Sequence, residues 1–116
     1  MAKFLFVYRG NPGAYATMTP EEMQQHNQKW GAWIGQAMQQ GWMVDPGDAL
    51  TPEGRVVTAK VVTDGPFMES KEVLGGYSVV QAESITAAAQ LARGCPGLSL
   101  GGIVEVRPLA GYTVPS

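Results

Sequence analysis

A chain of 116 residues with 45% hydrophobic residues is long enough for one packed domain and short for two. Eight Lys and Arg are scattered along it and the net charge is −2, so there is no basic footprint for a nucleic acid. A single Cys excludes an intrachain disulfide, and no apolar run reaches membrane-spanning length.

Charged residues make up only 16%, below the usual quarter, which favours a surface partly hidden in a partner. The apolar run behind Met1-Ala2-Lys3 is too short for the core of a signal peptide, and a cytoplasmic location is the default expectation.

Residues 3–8 read as a strand. Phe4, Phe6 and Tyr8 point one way and Leu5 and Val7 the other, so both faces are apolar. Helices of a small domain can cover one face; a second subunit is the natural cover for the other. Arg9-Gly10-Asn11-Pro12-Gly13 follows as a loop. A helix then starts at Thr19, with Pro20 in its first position and Glu22 completing a capping box. It is expected to run to Gln40 and stop at Gly41. Met23, Trp30, Trp33, Ile34 and Ala37 form its apolar stripe, and His26 lies on that stripe.

Residues 42–44 read as a short strand, 45–48 as a turn, 49–54 as loop, and 55–63 as one Val- and Thr-rich strand. Asp64-Gly65-Pro66-Phe67 then supplies strong turn chemistry. Phe67 would pin the loop to the domain and hold Asp64 at a strand end. Residues 74–81 read as the next strand, with Gly75-Gly76 marking a bulge or a close backbone approach. Ser84 caps a shorter helix whose apolar face is Ile85, Ala88, Leu91 and Ala92, and Gly94 ends it. Residues 103–109 form the last strand, and residues 110–116 a patternless tail that is mobile or reaches a neighbour. The order gives an α+β domain compatible with a ferredoxin-like sandwich carrying extra strand material in its middle.

Several stretches together resemble the YCII-related family, in the branch named for its Asp-Gly-Pro-Phe (DGPF) motif. They are Phe4-Leu5-Phe6-Val7-Tyr8, Thr19-Pro20-Glu21-Glu22, Thr63-Asp64-Gly65-Pro66-Phe67, Ser70-Lys71-Glu72, Leu74-Gly75-Gly76-Tyr77, Cys95-Pro96 and Val104-Glu105-Val106-Arg107-Pro108-Leu109. The resemblance runs from Lys3 to Leu109. It implies an antiparallel sheet with two helices on one face that pairs as a homodimer into an α/β barrel. It implies a His and Asp pair in a cleft, falling on His26 and Asp64, and no particular reaction. It also suggests a protein partner, since this branch looks like products encoded beside extracytoplasmic-function sigma factors.

His26 is the only histidine. On an apolar stripe its ring needs a hydrogen-bond partner, and Asp64 is the expected one; such a pair exchanges protons near neutral pH. The plainer alternative is a packed histidine and a turn-forming aspartate. Tyr77, Arg107, Phe67 and Ser70 are weaker candidates for contacting a small-molecule ligand. Arg107 has the structural alternative of an ion pair with Glu105, and Ser70 that of a solvated loop. Cys95 reads as a small buried hydrophobe. Asp45, Asp48 and Glu53 lack calcium-loop spacing, one His with one Cys makes no zinc site, and no cofactor fingerprint is present, so neither metal nor cofactor is expected.

Overall fold

The computed structural model describes residues 1–10, 12–51, 53–65 and 73–111. Phe67, Ser70 and the end of the tail lie outside the described residues. The elements in chain order are β1 (Ala2–Gly10), α1 (Pro12–Ala16), α2 (Pro20–Gln39), β2 (Met43–Ala49), β3 (Gly54–Val57), β4 (Val62–Gly65), β5 (Val73–Ala82), α3 (Ile85–Ala92), a 3-10 helix (Pro96–Leu100) and β6 (Ile103–Pro108).

Four strands form an antiparallel sheet in the order β2-β5-β1-β6, and β3 and β4 pair in a separate two-stranded sheet. Without the inserted hairpin and the short α1, the sequence of elements is β-α-β-β-α-β. With this strand order the architecture is consistent with the expected ferredoxin-like α+β fold.

The start of α2 is fixed by local chemistry. The Glu22 backbone N–H donates to Thr19 Oγ1 and the Thr19 backbone N–H donates to Glu22 Oε1, each at 3.1 Å. Two of the helix's orphan donors are thereby satisfied, and removing such a cap costs about 0.5–2 kcal/mol. The helix stops before Gly41, whose φ of +86° a residue with a side chain would resist. α3 begins in the same manner at Ser84, whose Oγ accepts from the Ala87 backbone N–H.

Alternation in β1 builds the core. Phe4 and Phe6 are buried, and in register they face Val80 and Ser78 of β5 and Pro108 and Val106 of β6. Ala37 of α2 and Ala88 and Ala92 of α3 close one cluster with Phe4, Phe6, Met43, Val80 and Ala82. Burying Phe6 alone contributes about 1.5–3 kcal/mol. The other face, with Leu5, Val7 and Val79, is only half-buried in the single chain.

Three local expectations need correction. The stretch 55–63 is not one strand: Thr58 Oγ1 accepts from the backbone N–H groups of Lys60 and Val61, turning the chain into the β3–β4 hairpin. Residues 45–48 are an irregular part of β2 rather than a turn after it. There Asp45 Oδ1 accepts from the Gly47 N–H at 2.8 Å, and the pairing with β5 shifts twice. The loop expected from Arg9 to Gly13 is not all loop: Arg9 and Gly10 end β1, and Pro12 and Gly13 begin the short helix α1. The bulge expected at Gly75-Gly76 is present: Tyr8 pairs with Gly76 and Arg9 with Leu74, leaving Gly75 as the extra residue.

Candidate functional site

A cavity of about 730 Å³ opens between α2, the 3-10 helix and the ends of β1, β2 and β5. Its size suits a small organic ligand, and its wall is mainly apolar. Two glycines let its walls pack closely on their neighbours. Gly47, at φ +65°, sits where an added Cβ would lie 1.9 Å from the Tyr77 carbonyl oxygen. Gly97 lets the 3-10 helix approach the Trp30 ring, to which its Cβ would come within 3.2 Å.

His26 stands on α2, 7% exposed, and lines this cavity. Trp30, one turn further along the helix, donates its Nε1–H to His26 Nε2 at 2.9 Å. Tyr15 Oη lies 3.4 Å from the same nitrogen. An indole N–H can only donate, so Nε2 must present its lone pair and the ring proton sits on Nδ1. Protonating Nε2 would set two N–H groups against each other. Burial, followed by the positive charge of Lys29, holds the His26 pKa below the ordinary value of 6.5.

A second polar line crosses the cavity floor. Tyr8 Oη–H donates to Ser78 Oγ at 2.9 Å, and Ser78 donates to the Pro46 carbonyl at 2.7 Å. Ser78 is fully buried, and burial pushes the Tyr8 phenol up to about 12. Cys95 also lines the cavity; burial pushes its thiol up to about 11, so it is no thiolate nucleophile. It is the small buried hydrophobe that the sequence suggests.

The aromatic rings form a connected chain. Tyr15 meets His26, His26 meets Trp30, Trp30 meets both Tyr8 and Trp33, and Trp33 meets Trp42, all in edge-on geometry. The stripe read from helical spacing is therefore both core and cavity wall.

The structure does not bring His26 and Asp64 together. Asp64, near the end of β4, is paired across the hairpin with Arg55; its side chain is 96% exposed and its Oδ1 lies 3.6 Å from Arg55 Nε. His26 takes its partners from its own helix and from α1 instead. Tyr77 and Arg107 belong to the opposite sheet face, where they line a smaller cavity of about 450 Å³ with Leu5, Val7 and Leu109. Tyr77 also reaches the edge of the larger one. Arg107 and Arg9 both hold Glu105, at 3.0 and 3.1 Å, and their hydrogen bonds keep its carboxyl below the usual range.

Sequence reasoning missed Trp30 as the partner of His26, although a spacing of four on a helix brings two side chains into reach. It had no signal for the Tyr8–Ser78–Pro46 line, which joins residues 70 and 32 positions apart. Among the described residues no cluster of His, Cys, Asp or Glu could hold a metal ion, and no helix is long and apolar enough to cross a membrane.

A family model for the YCII-related domain matches residues 2–111. None of the curated proteins compared with the chain matches it.

Proposed function

We propose that this chain, which belongs to the YCII-related family, holds a small organic molecule in the cavity over His26. The observation that carries the reading is the 730 Å³ apolar cavity with a buried, neutral imidazole in its wall. Apolar walls with few oriented polar groups are the usual make-up of a small-molecule site.

In its fuller form the reading makes His26 and Asp64 a proton-transfer pair. The geometry favours hydrogen bonding by His26 over that form. The lone pair of Nε2 is occupied by Trp30, and the Asp64 carboxylate lies beside Arg55. The reading also includes a homodimer in which the sheet face with the half-buried Leu5, Val7 and Val79 and the exposed Tyr77 packs on its copy, giving the two-subunit α/β barrel. Tyr77 and Arg107 would then contact ligand from that side.

The test is a fragment screen read by the Trp30 indole N–H and His26 ring signals in NMR spectra. Hits that move those signals support the reading. Fragments that bind and move only residues of the opposite sheet face refute it. Sedimentation tests the dimer separately.

A second reading is a regulatory module docking on a protein, such as an extracytoplasmic-function sigma factor system. The exposed valines of the hairpin favour it: Val57 is 71% and Val62 64% exposed. Loss of complex formation on replacing both by Lys, with ligand binding unchanged, would support this reading.

A further inference from the structure

We infer that the cavity selects a neutral, flat, largely apolar molecule whose hydrogen-bond acceptor, a carbonyl of ketone or ester type, takes the Nδ1–H of His26. This rests on the reading of the cavity as a ligand site and adds the chemical class of what enters it.

The tautomer of His26 fixes which ring nitrogen is a donor. Trp30 Nε1–H at 2.9 Å from Nε2 places the ring proton on Nδ1. Nδ1 has no hydrogen-bond partner among the described residues, yet none of their buried side-chain nitrogen or oxygen atoms is left unpaired. Nδ1 is therefore accessible, on a residue that lines the cavity. An N–H in that position can only be met by an acceptor.

The cavity wall carries little charge. Arg9, the one cation among the described lining residues, is engaged by Glu105 at 3.1 Å. Asp48 adds a carboxylate, whose Oδ1 accepts from the Ala49 N–H. An anionic ligand would lose its hydration here without a free counter-charge among the described lining residues; Lys29, whose charge is felt at His26, is not one of them. The Asp48 carboxylate would attract a cation and the donor N–H of His26 would repel it, and the amine probe below decides between them.

Beyond His26 and Asp48 the wall carries polar side chains of Tyr8, Tyr15, Asn27, Thr51 and Ser78 as well as apolar ones. The Tyr8 and Ser78 hydroxyls donate to Ser78 and Pro46, so they do not compete for the ligand's acceptor. Trp30, Ile34, Leu98, Leu100 and Ile103 supply apolar surface for a ring.

The experiment uses four probes of one shape: 2-acetylnaphthalene, 2-ethylnaphthalene, 2-naphthoate and 1-(2-naphthyl)ethylamine. Each is titrated into the full chain, following the Trp30 indole N–H and the His26 ring nitrogens by NMR. The ketone is expected to bind about fivefold tighter than the hydrocarbon, the size of one net hydrogen bond. It should exceed the carboxylate and the amine by more. His26→Phe is expected to erase the ketone's advantage while keeping hydrocarbon binding, which also reports that the variant is folded.

Equal binding of ketone and hydrocarbon overturns the inference, as does preference for the carboxylate or the amine; either leaves the cavity a ligand site. Failure of all four probes to move the Trp30 signal overturns the ligand-site reading as well. An independent check needs no variant and no probe. The ring nitrogen bearing hydrogen in wild-type protein near neutral pH must be Nδ1, and finding it on Nε2 overturns the proposal.

Discussion

Acidification is expected to destabilise the fold through His26. An unfolded histidine takes up a proton near ~6.5. In the fold, burial and then Lys29 hold the pKa lower, and the Trp30 N–H occupies the Nε2 lone pair. Between the folded value and ~6.5 the unfolded chain thus binds more protons than the folded one, and stability rises with pH. The contribution is complete above ~6.5, is lost on acidification through that window, and levels off below the folded value. Its slope is at most about 1.4 kcal/mol per pH unit, the equivalent of one proton. The local cost has a visible origin: protonation breaks a bond worth about 1 kcal/mol and leaves a part-buried indole N–H unpaired, at a further ~1–3 kcal/mol. The assay is urea unfolding of wild type and His26→Gln at several pH values between 7.5 and 5, at one protein concentration. Taking the difference removes the carboxylates common to both. With a urea slope of about 1–3 kcal/mol per molar, one pH unit within the window moves the midpoint difference by up to roughly 0.5–1.4 M. A midpoint difference that stays flat with pH, or a His26 signal that titrates at or above ~6.5, would refute the reasoning.

Three further outcomes are expected. Ser78→Ala strands both the Tyr8 hydroxyl and the Pro46 carbonyl, and should cost about 2 kcal/mol in urea unfolding; combined with Tyr8→Phe the two costs should be clearly non-additive. Gly47→Ala meets both a positive φ and the Tyr77 carbonyl, and should cost at least about 2 kcal/mol while perturbing the Trp30 indole signal through the cavity wall. Asp64→Asn removes only an exposed ion pair, so it should change stability by less than about 0.5 kcal/mol and leave the His26 titration in place; a shift in that titration would restore the His26–Asp64 pair.

What could be read from the chain beforehand was what is local. Thr19, Pro20 and Glu22 carry a complete helix start within four residues, and the capping box is there. Alternation set Phe4 and Phe6 on one face and Leu5 and Val7 on the other but, both being apolar, not which one the helices bury; Gly75 marked the bulge because few residues suit one better. The hairpin was hidden because Thr58-Ala59-Lys60-Val61 has no Gly or Pro; the Thr58 hydroxyl and the backbone bond from the Thr58 N–H to the Val61 carbonyl make the turn. Ile85 belonged to the expected apolar face of α3 but is 48% exposed. The His26 partner was misassigned for a related reason. The chain announces an unpaired imidazole, but a loop carboxylate and an indole four residues away compete for it, and only the fold decides. The cavity was not legible as a whole, because its walls come from stretches spread from Tyr8 to Ile103.

That last point also bears on how the protein is made. β1 is the first strand to be synthesised, yet its partners in the sheet are β5 and β6, among the last. Tyr8 must wait for Ser78, 70 residues on, which at ~5–20 residues per second is roughly 4–14 s. Throughout that interval a strand with Phe4, Phe6 and Tyr8 on one side and Leu5 and Val7 on the other has neither edge paired. Such a strand is a template for the wrong neighbour. On the ribosome, α2 can form early with its own cap, but the sheet it packs on cannot close until nearly the whole chain has emerged. Nascent chains held on crowded polysomes should therefore depend on chaperones far more than the size of the finished domain suggests.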